Sequence, residues 1–270
     1  MSERDRYEFG VPCWVDTAQP DVDAAMDFYG QLFGWEFAGP GEMPGDPPGR
    51  YYVARLRGRD VAGVSSMPAG GDAPVSWTTH VSVDSVERAA ERAAAAGGNV
   101  IAPPFAVPPA GRMAVVADPA GAVFGAWEPG HRHGAQLVNE PSAWSMSRLQ
   151  TPDPGGAKAF YGDVFGWQTE AFAMGDQQVE LWRLPGYVGG EPEQPVARDV
   201  VAVMAASNGG APAQWNVDFW IDGADRAAAT AERLGGEVLM GPIDSPGFRT
   251  AALRDPQGAV FSVSQLVVPQ

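Results

Sequence analysis

The 270-residue sequence has one cysteine (Cys13), one lysine (Lys158) and three histidines (His80, His131 and His133). A single cysteine excludes an intramolecular disulfide and fits a reducing compartment. Three histidines, two of them close together, leave little from which to assemble a histidine-rich metal centre. No apolar run approaches the roughly 18 to 20 residues of a membrane span. The N-terminus, Met1-Ser2-Glu3-Arg4-Asp5-Arg6, carries both signs of charge instead of an apolar stretch, so no secretory leader is expected and the expected location is the cytoplasm. Positive charge is scarce: 18 Lys+Arg against 33 Asp+Glu give a net charge of -15. Such a surface repels nucleic acid and anionic membrane, which excludes both as expected partners. Neither a glycine-rich phosphate loop nor a Ser-His-Asp order is present, so nucleotide binding and serine hydrolysis have no support.

What the sequence does have is a repeat. Asp27-Phe28-Tyr29-Gly30-Gln31-Leu32-Phe33-Gly34-Trp35 returns as Ala159-Phe160-Tyr161-Gly162-Asp163-Val164-Phe165-Gly166-Trp167, and Asp118-Pro119-Ala120-Gly121-Ala122-Val123-Phe124 returns as Asp255-Pro256-Gln257-Gly258-Ala259-Val260-Phe261. Two copies in the same order predict two similar domains, over residues 8–129 and 142–268, joined by a polar, aperiodic linker over 130–141 that holds His131 and His133. Each copy divides again. A short strand (13–17, or 146–150) leads into a helix with an apolar stripe, Ala24, Ala25, Phe28, Tyr29 and Leu32 in the first copy and Ala157, Phe160, Tyr161 and Val164 in the second. Phe-Gly-Trp then turns the chain into strand-rich sequence. The second half of each copy repeats the plan: a strand (77–83, or 215–221), an alanine-rich helix closed by Gly-Gly, and a hairpin turned by Asp-Pro-x-Gly. The expected fold class is α+β, with four strand-helix-three-strand modules, two per domain.

These pieces resemble the vicinal oxygen chelate superfamily of glyoxalases, extradiol dioxygenases and bleomycin-resistance proteins, built from paired βαβββ modules. The Phe-Tyr-Gly-x-x-Phe-Gly-Trp helix end, the Val-Asp strand end and the Asp-Pro-x-Gly hairpin carry the resemblance across all four modules. Within the superfamily the chain is most similar to the tandem-domain actinobacterial branch of glyoxalase-like and hydroxylase-like proteins and the 27-kDa antigen. The resemblance implies two cupped mixed sheets, each with a small-molecule cavity, and no single reaction.

Metal-dependent members of that superfamily place histidines on the first strands of two modules and a glutamate on a final strand. Carried over by counting from the motifs, the matching positions are Trp14, Thr78 and Gly125 in domain 1 and Met146, Asn216 and Ser262 in domain 2. None is a histidine or carboxylate, so no metal and no cofactor are expected. Two residues further along each first strand, on the same face, stand Asp16, His80, Arg148 and Asp218. Read functionally, Asp16 and His80 form an acid-base pair in the first cup, while Arg148 and Asp218 form an anchor or ion pair in the second. The alternative is that strands facing a solvated cup are simply polar and that Arg148 and Asp218 pair structurally. Trp14, Trp77, Trp127, Met146, Trp215 and Trp220 are expected at cavities, and Trp35 and Trp167 in the core. The ligand set thus comprises Trp14, Thr78, Trp127, Met146, Arg148, Asn216, Asp218 and Trp220. Cys13 falls on the opposite face and is expected to be buried and inert. Three functions are compatible with this pattern. The leading one is metal-independent binding of an apolar or aromatic small molecule, as in sequestration or resistance, by a monomer or homodimer. The second is cofactor-free acid-base chemistry on a carbonyl or polyketide-like substrate, and the third is glyoxalase or dioxygenase activity through unusual ligands.

Overall fold

A computed structural model describes residues 3–43, 48–67, 74–174, 177–189, 197–207 and 211–267. The first module runs β1 (Pro12–Gln19), α1 (Val22–Phe33), β2 (Glu36–Met43), β3 (Gly49–Leu56) and β4 (Arg59–Ser66). The second runs β5 (Trp77–Ser82), α2 (Val86–Ala95), β6 (Asn99–Val107), β7 (Gly111–Ala117) and β8 (Val123–Pro129). The third is β9 (Trp144–Thr151), α3 (Pro154–Phe165), β10 (Gln168–Met174), β11 (Gln177–Arg183) and β12 (Val200–Ala206). The fourth is β13 (Gln214–Trp220), α4 (Ala224–Arg233), β14 (Glu237–Ser245), β15 (Phe248–Arg254) and β16 (Val260–Leu266). The four βαβββ modules are therefore present. They pair into two mixed eight-stranded sheets, ordered β2-β3-β4-β1-β5-β8-β7-β6 and β10-β11-β12-β9-β13-β16-β15-β14. In each, the first strands of the two modules lie antiparallel at the centre, β1 against β5 and β9 against β13.

Local chemistry sets the helix ends. Asp21 accepts from the N–H groups of Asp23 and Ala24 to open α1, and Asp153 accepts from Gly156 with Pro154 at the first helical position of α3. Both helices end at a left-handed glycine, Gly34 and Gly166.

The sequence motifs turn out to be the joint between the domains. The apolar faces of α1 and α3 pack beneath their own sheet and beneath the other domain's, so the helices form one shared layer between two outward-facing cups. Phe33 meets Phe219 with ring centroids 4.9 Å apart, and Phe160 meets Phe124 at 6.2 Å. Polar groups lock the layer reciprocally: the Tyr29 hydroxyl donates to Asp255 (2.8 Å) and the Tyr161 hydroxyl to Asp118 (3.2 Å). Trp35 Nε1 donates to the Ser142 carbonyl just before β9, and Trp167 Nε1 to the Gly10 carbonyl just before β1. Each Phe-Tyr-Gly helix thus bonds the Asp-Pro-x-Gly hairpin of the other copy. Burying these hydroxyls and indoles without such partners would cost about 1 to 3 kcal/mol each.

Two expectations change here. Trp77 and Trp215 line no cup, because strand alternation turns them beneath the helices, where their Nε1 groups donate to Tyr29 and Tyr161. The segment 130–141 is more than a polar spacer: Ala135, Leu137 and Val138 are buried, and the Ala135 and Gln136 amides bond Cys13 and Asp60 carbonyls. His131 and His133 are exposed within it. Cys13 is fully buried under the helices, and burial pushes its thiol up, away from nucleophile chemistry.

Candidate functional site

The domain-1 cup brings the expected residues together and fills itself with them. Trp14 and Asp16 project from β1, Tyr51 from β3, His80 from β5 and Trp127 from β8. His80 Nε2 lies 2.9 Å from Asp16 Oδ1, the Tyr51 hydroxyl donates to Asp16 Oδ2 (3.1 Å), and Trp14 Nε1 donates to the Tyr51 hydroxyl (2.8 Å). Burial and the Asp16 charge beside it push the Tyr51 phenol well above its ordinary range. Two glycines make this packing feasible. A Cβ on Gly63 would sit 2.0 Å from the Tyr51 oxygen, and one on Gly125 would sit 2.0 Å from His80 Nδ1. His80 is 3% exposed, with Nε2 on Asp16 and Nδ1 pressed against Gly125 without a hydrogen-bond partner. Arg132, from the segment between the domains, closes the cup: its guanidinium stacks 5.6 Å over the Trp14 ring, pairs with Asp60 at 3.0 Å, and its carbonyl accepts from Trp127 Nε1. Of the expected ligand-binding residues here, Trp14 and Trp127 are therefore packing residues, and Thr78 sits half-buried opposite Asp16.

The domain-2 cup is open, with a cavity of about 690 Å³. Met146, Arg148, Asp218 and Trp220 all line it, as their strand phase requires. Asn216 shares their face but does not line the cavity, donating instead to Gln150 at 3.2 Å. Trp144, Phe172, Leu181, Val203 and Phe248 supply apolar wall. The floor is polar. Asp218 Oδ1 accepts from the hydroxyls of Ser262 (2.6 Å) and Ser264 (2.7 Å), and Oδ2 accepts from Ser145 (2.9 Å). The surrounding cup strips water from this carboxyl and pushes it above the ordinary carboxylate range, against the lowering effect of the serines and of Arg148. The expected Arg148–Asp218 ion pair does not form; the serines hold Asp218, and Arg148 has no ion-pair partner among the described residues. Ser145 and Ser264 were not singled out in the sequence, although the alternation Ser262-Val263-Ser264 on the last strand marks two hydroxyls on one face.

The ladders also correct the metal count. Because β1 and β5 run antiparallel, stepping two residues along each moves in opposite directions. Trp14 lies opposite His80, not Thr78, and His80 lies level with Gly125. In domain 2, Met146 lies opposite Asp218, not Asn216, and Asp218 is level with Ser262. Each level row therefore holds one ionisable ligand type: an imidazole between indole and glycine, or a carboxylate between thioether and hydroxyl.

Comparison with known proteins agrees with this architecture. Residues 14–125 match the model of the Glyoxalase/Bleomycin resistance protein/Dioxygenase superfamily, and residues 133–264 match that of a glyoxalase-like domain. The protein CFP32 of Mycobacterium tuberculosis, which carries a provisional glyoxylase name, is 38% identical over 268 residues, covering 97% of each chain. The anthracycline biosynthesis protein DnrV of Streptomyces peucetius is 33% identical over 275 residues, covering 97% of this chain and 95% of its own. Among solved structures, the Mn(II)-bound glyoxalase of Novosphingobium aromaticivorans superposes with a TM-score of 0.64 at 19% identity, over 95% of this chain and 82% of that one. The 2,3-dioxygenase LapB of Pseudomonas sp. KL28 also gives 0.64, at 15% identity over 98% and 96%. The fold family thus includes metal-bound members. A divalent cation does not fit the residues found here: among the described residues no three His, Cys, Asp or Glu side chains converge, and His80 and Asp218 are already engaged by Asp16 and by three serines. Among the described residues no helix is long and apolar enough to cross a membrane.

Proposed function

The chain belongs to the Glyoxalase/Bleomycin resistance protein/Dioxygenase superfamily, and from that premise we propose that it binds a flat, apolar or aromatic small molecule in the domain-2 cup without the metal triad of its metal-dependent relatives. The observation that carries this reading is the cavity itself. One of two equivalent cups holds about 690 Å³ of space, well inside the ~300–1,000 Å³ typical of small-molecule sites, while in the other Tyr51 and His80 fill the space over Gly63 and Gly125. Its walls are aromatic and aliphatic, and its polar groups converge at Asp218, the three serines and Arg148, the arrangement that fixes the orientation of an otherwise apolar ligand. Relatives in anthracycline biosynthesis support a fused-ring aromatic as the ligand class. Binding without turnover would make this a sequestering protein.

The test is a titration of the purified protein with an anthracycline, read by quenching of tryptophan fluorescence, since Trp144 and Trp220 both line the cavity. Saturable quenching at one site per chain is expected, and it should vanish in a Val203→Trp variant that fills the cup. Quenching unchanged by that substitution would place the ligand elsewhere and sink the reading.

A further inference from the structure

Arg148 and Asp218 sit together in the open cup and leave each other unneutralised. On the adjacent antiparallel strands β9 and β13, Arg148 faces Asn216 and Asp218 faces Met146, so the two charged side chains are diagonal neighbours on one face of the sheet. Such neighbours have backbones roughly 7 to 8 Å apart, and both side chains line the cavity. Asp218 feels the Arg148 charge without ion pairing. Of the other arginines lining the cavity, Arg183 pairs with Glu170 and Asp199, Arg198 Nε donates to the Gly189 carbonyl, and Arg4 comes from the segment before β1, away from the strands that carry Asp218. Asp218 is fixed in orientation by three hydroxyl donors, which use three of about four lone-pair sites on its carboxylate and leave one free.

We propose that Asp218 and Arg148 are a proton-transfer pair acting on a carbonyl-bearing aromatic held in the domain-2 cup, which extends the binding function above to a reaction and rests on it. Asp218 is the base and Arg148 the electrophilic partner. The free carboxylate lone pair takes a proton from the carbon next to the carbonyl. The C–H electron pair becomes the carbon–carbon double bond of an enolate, and the carbonyl π electrons move onto oxygen, beside Arg148. The guanidinium stays protonated throughout and stabilises that oxygen by charge and hydrogen bonding. The carboxylic acid then returns its proton, or one exchanged with solvent, to the same or a conjugated carbon, so the net change is isotope exchange or isomerisation and needs no oxidant or reductant. Burial also raises Asp218 toward the pH of the solution, which strengthens a carboxylate as a base. Arg148 supplies at this position a fixed positive charge in a protein of net charge -15.

The probe is 2-tetralone, an enolisable fused-ring ketone. In D₂O the wild-type protein should accelerate loss of its C1 proton signal over buffer, followed by proton NMR, with binding read in parallel by tryptophan quenching. Asp218→Asn should lower the exchange rate roughly 100-fold while 2-tetralone still binds. Arg148→Gln should lower the rate and leave the base intact, so a residual, pH-dependent exchange persists. Binding with no exchange above buffer, or undiminished exchange in Asp218→Asn, would overturn the proton-transfer pair and leave the binding function intact. Absence of any binding would overturn both.

Discussion

The two cups are built on the same ladder, position for position, and differ in what stands on it. Tyr51 and Gly63 of the first correspond to Val179 and Val203 of the second, His80 and Gly125 to Asp218 and Ser262, Trp127 to Ser264, and Met113 to Thr250. Where domain 1 sends a large ring inward, the strand beside it carries a glycine to receive it; where domain 2 carries side chains of middling size, space is left over. The helix-facing sides of the same strands have changed too, with Val15, Thr17, Thr79 and Val81 answered by Ser147, Leu149, Val217 and Phe219, but Trp77 and Trp215 keep equivalent hydrogen bonds to Tyr29 and Tyr161. The difference between the faces follows from their loads. The helix side of each copy packs against the other domain, so a change there is felt in both domains at once, whereas the cup faces meet only the segments that fold over their rims, Arg132 over the first and Tyr7 and Val138 beside the second.

The largest effect that would test the contrast is in the filled cup. Tyr51→Ala removes a ring that packs over Gly63 and leaves Trp14 Nε1 and Asp16 Oδ2 without a partner, while Asp16 Oδ1 keeps His80. A loss of about 3 to 5 kcal/mol in urea unfolding is expected, the range for deleting a buried aromatic. A loss below ~1 kcal/mol would mean that cup 1 is not held by that ring. Next comes the transplant: Val179→Tyr with Val203→Gly rebuilds the domain-1 plug in domain 2. Anthracycline affinity should fall about 100-fold, or ~2.7 kcal/mol, with near-native unfolding. Retained affinity would separate the ligand from the cavity. Smaller still, Tyr29→Phe and Tyr161→Phe each delete one hydrogen bond to a buried aspartate across the domain joint and one accepted from Trp77 or Trp215 Nε1. Each should cost about 1 to 2 kcal/mol, and nearly equally. A marked inequality would show that the two halves of the joint carry different loads, Asp255 being held by Gln19 as well as by Tyr29.

How far the sequence alone reached follows the same division. The Phe-Tyr-Gly-x-x-Phe-Gly-Trp and Asp-Pro-x-Gly repeats imposed four modules and two domains, because caps, turns and apolar stripes are local and periodic. Their meeting across the domain joint was illegible, since nothing in Tyr29 announces a partner 226 positions away in Asp255. Strand alternation was enough to put Met146, Arg148, Asp218 and Trp220 into one cup. It did not show that His80 would be buried against Asp16 in the other, because that depends on glycines of the neighbouring strands β4 and β8 and on Arg132 folding over from a segment that reads as linker. Nor did it align the rows across the antiparallel centre, where register, not spacing, decides which residues stand level.

The smallest expected effect is a titration, and it belongs to the open cup. Asp218 in the folded protein has its carboxyl raised above the ordinary value of 3.8 by loss of water, with Ser262, Ser264, Ser145 and Arg148 facing it and lowering it in part. The folded chain therefore binds this proton more tightly than the unfolded chain does. Between 3.8 and the raised folded value the native state carries more of the proton, so stability declines as pH rises through that window and levels off above it. Asp118, also raised by burial at the domain joint, contributes a decline of the same sign. Asp218→Asn should thus reduce the slope of unfolding free energy against pH without abolishing it, and the variant should gain on the wild type as pH rises from about 4. Urea melts at a series of pH values measure the difference. A slope steeper than wild type would mean that the serine cradle outweighs desolvation and that Asp218 is held as a carboxylate from the outset. Addition of the aromatic ligand sharpens the comparison between the cups, because a ligand seated over Asp218 strips away more water and should widen the window, while one bound anywhere near His80 and Asp16 leaves it where it was.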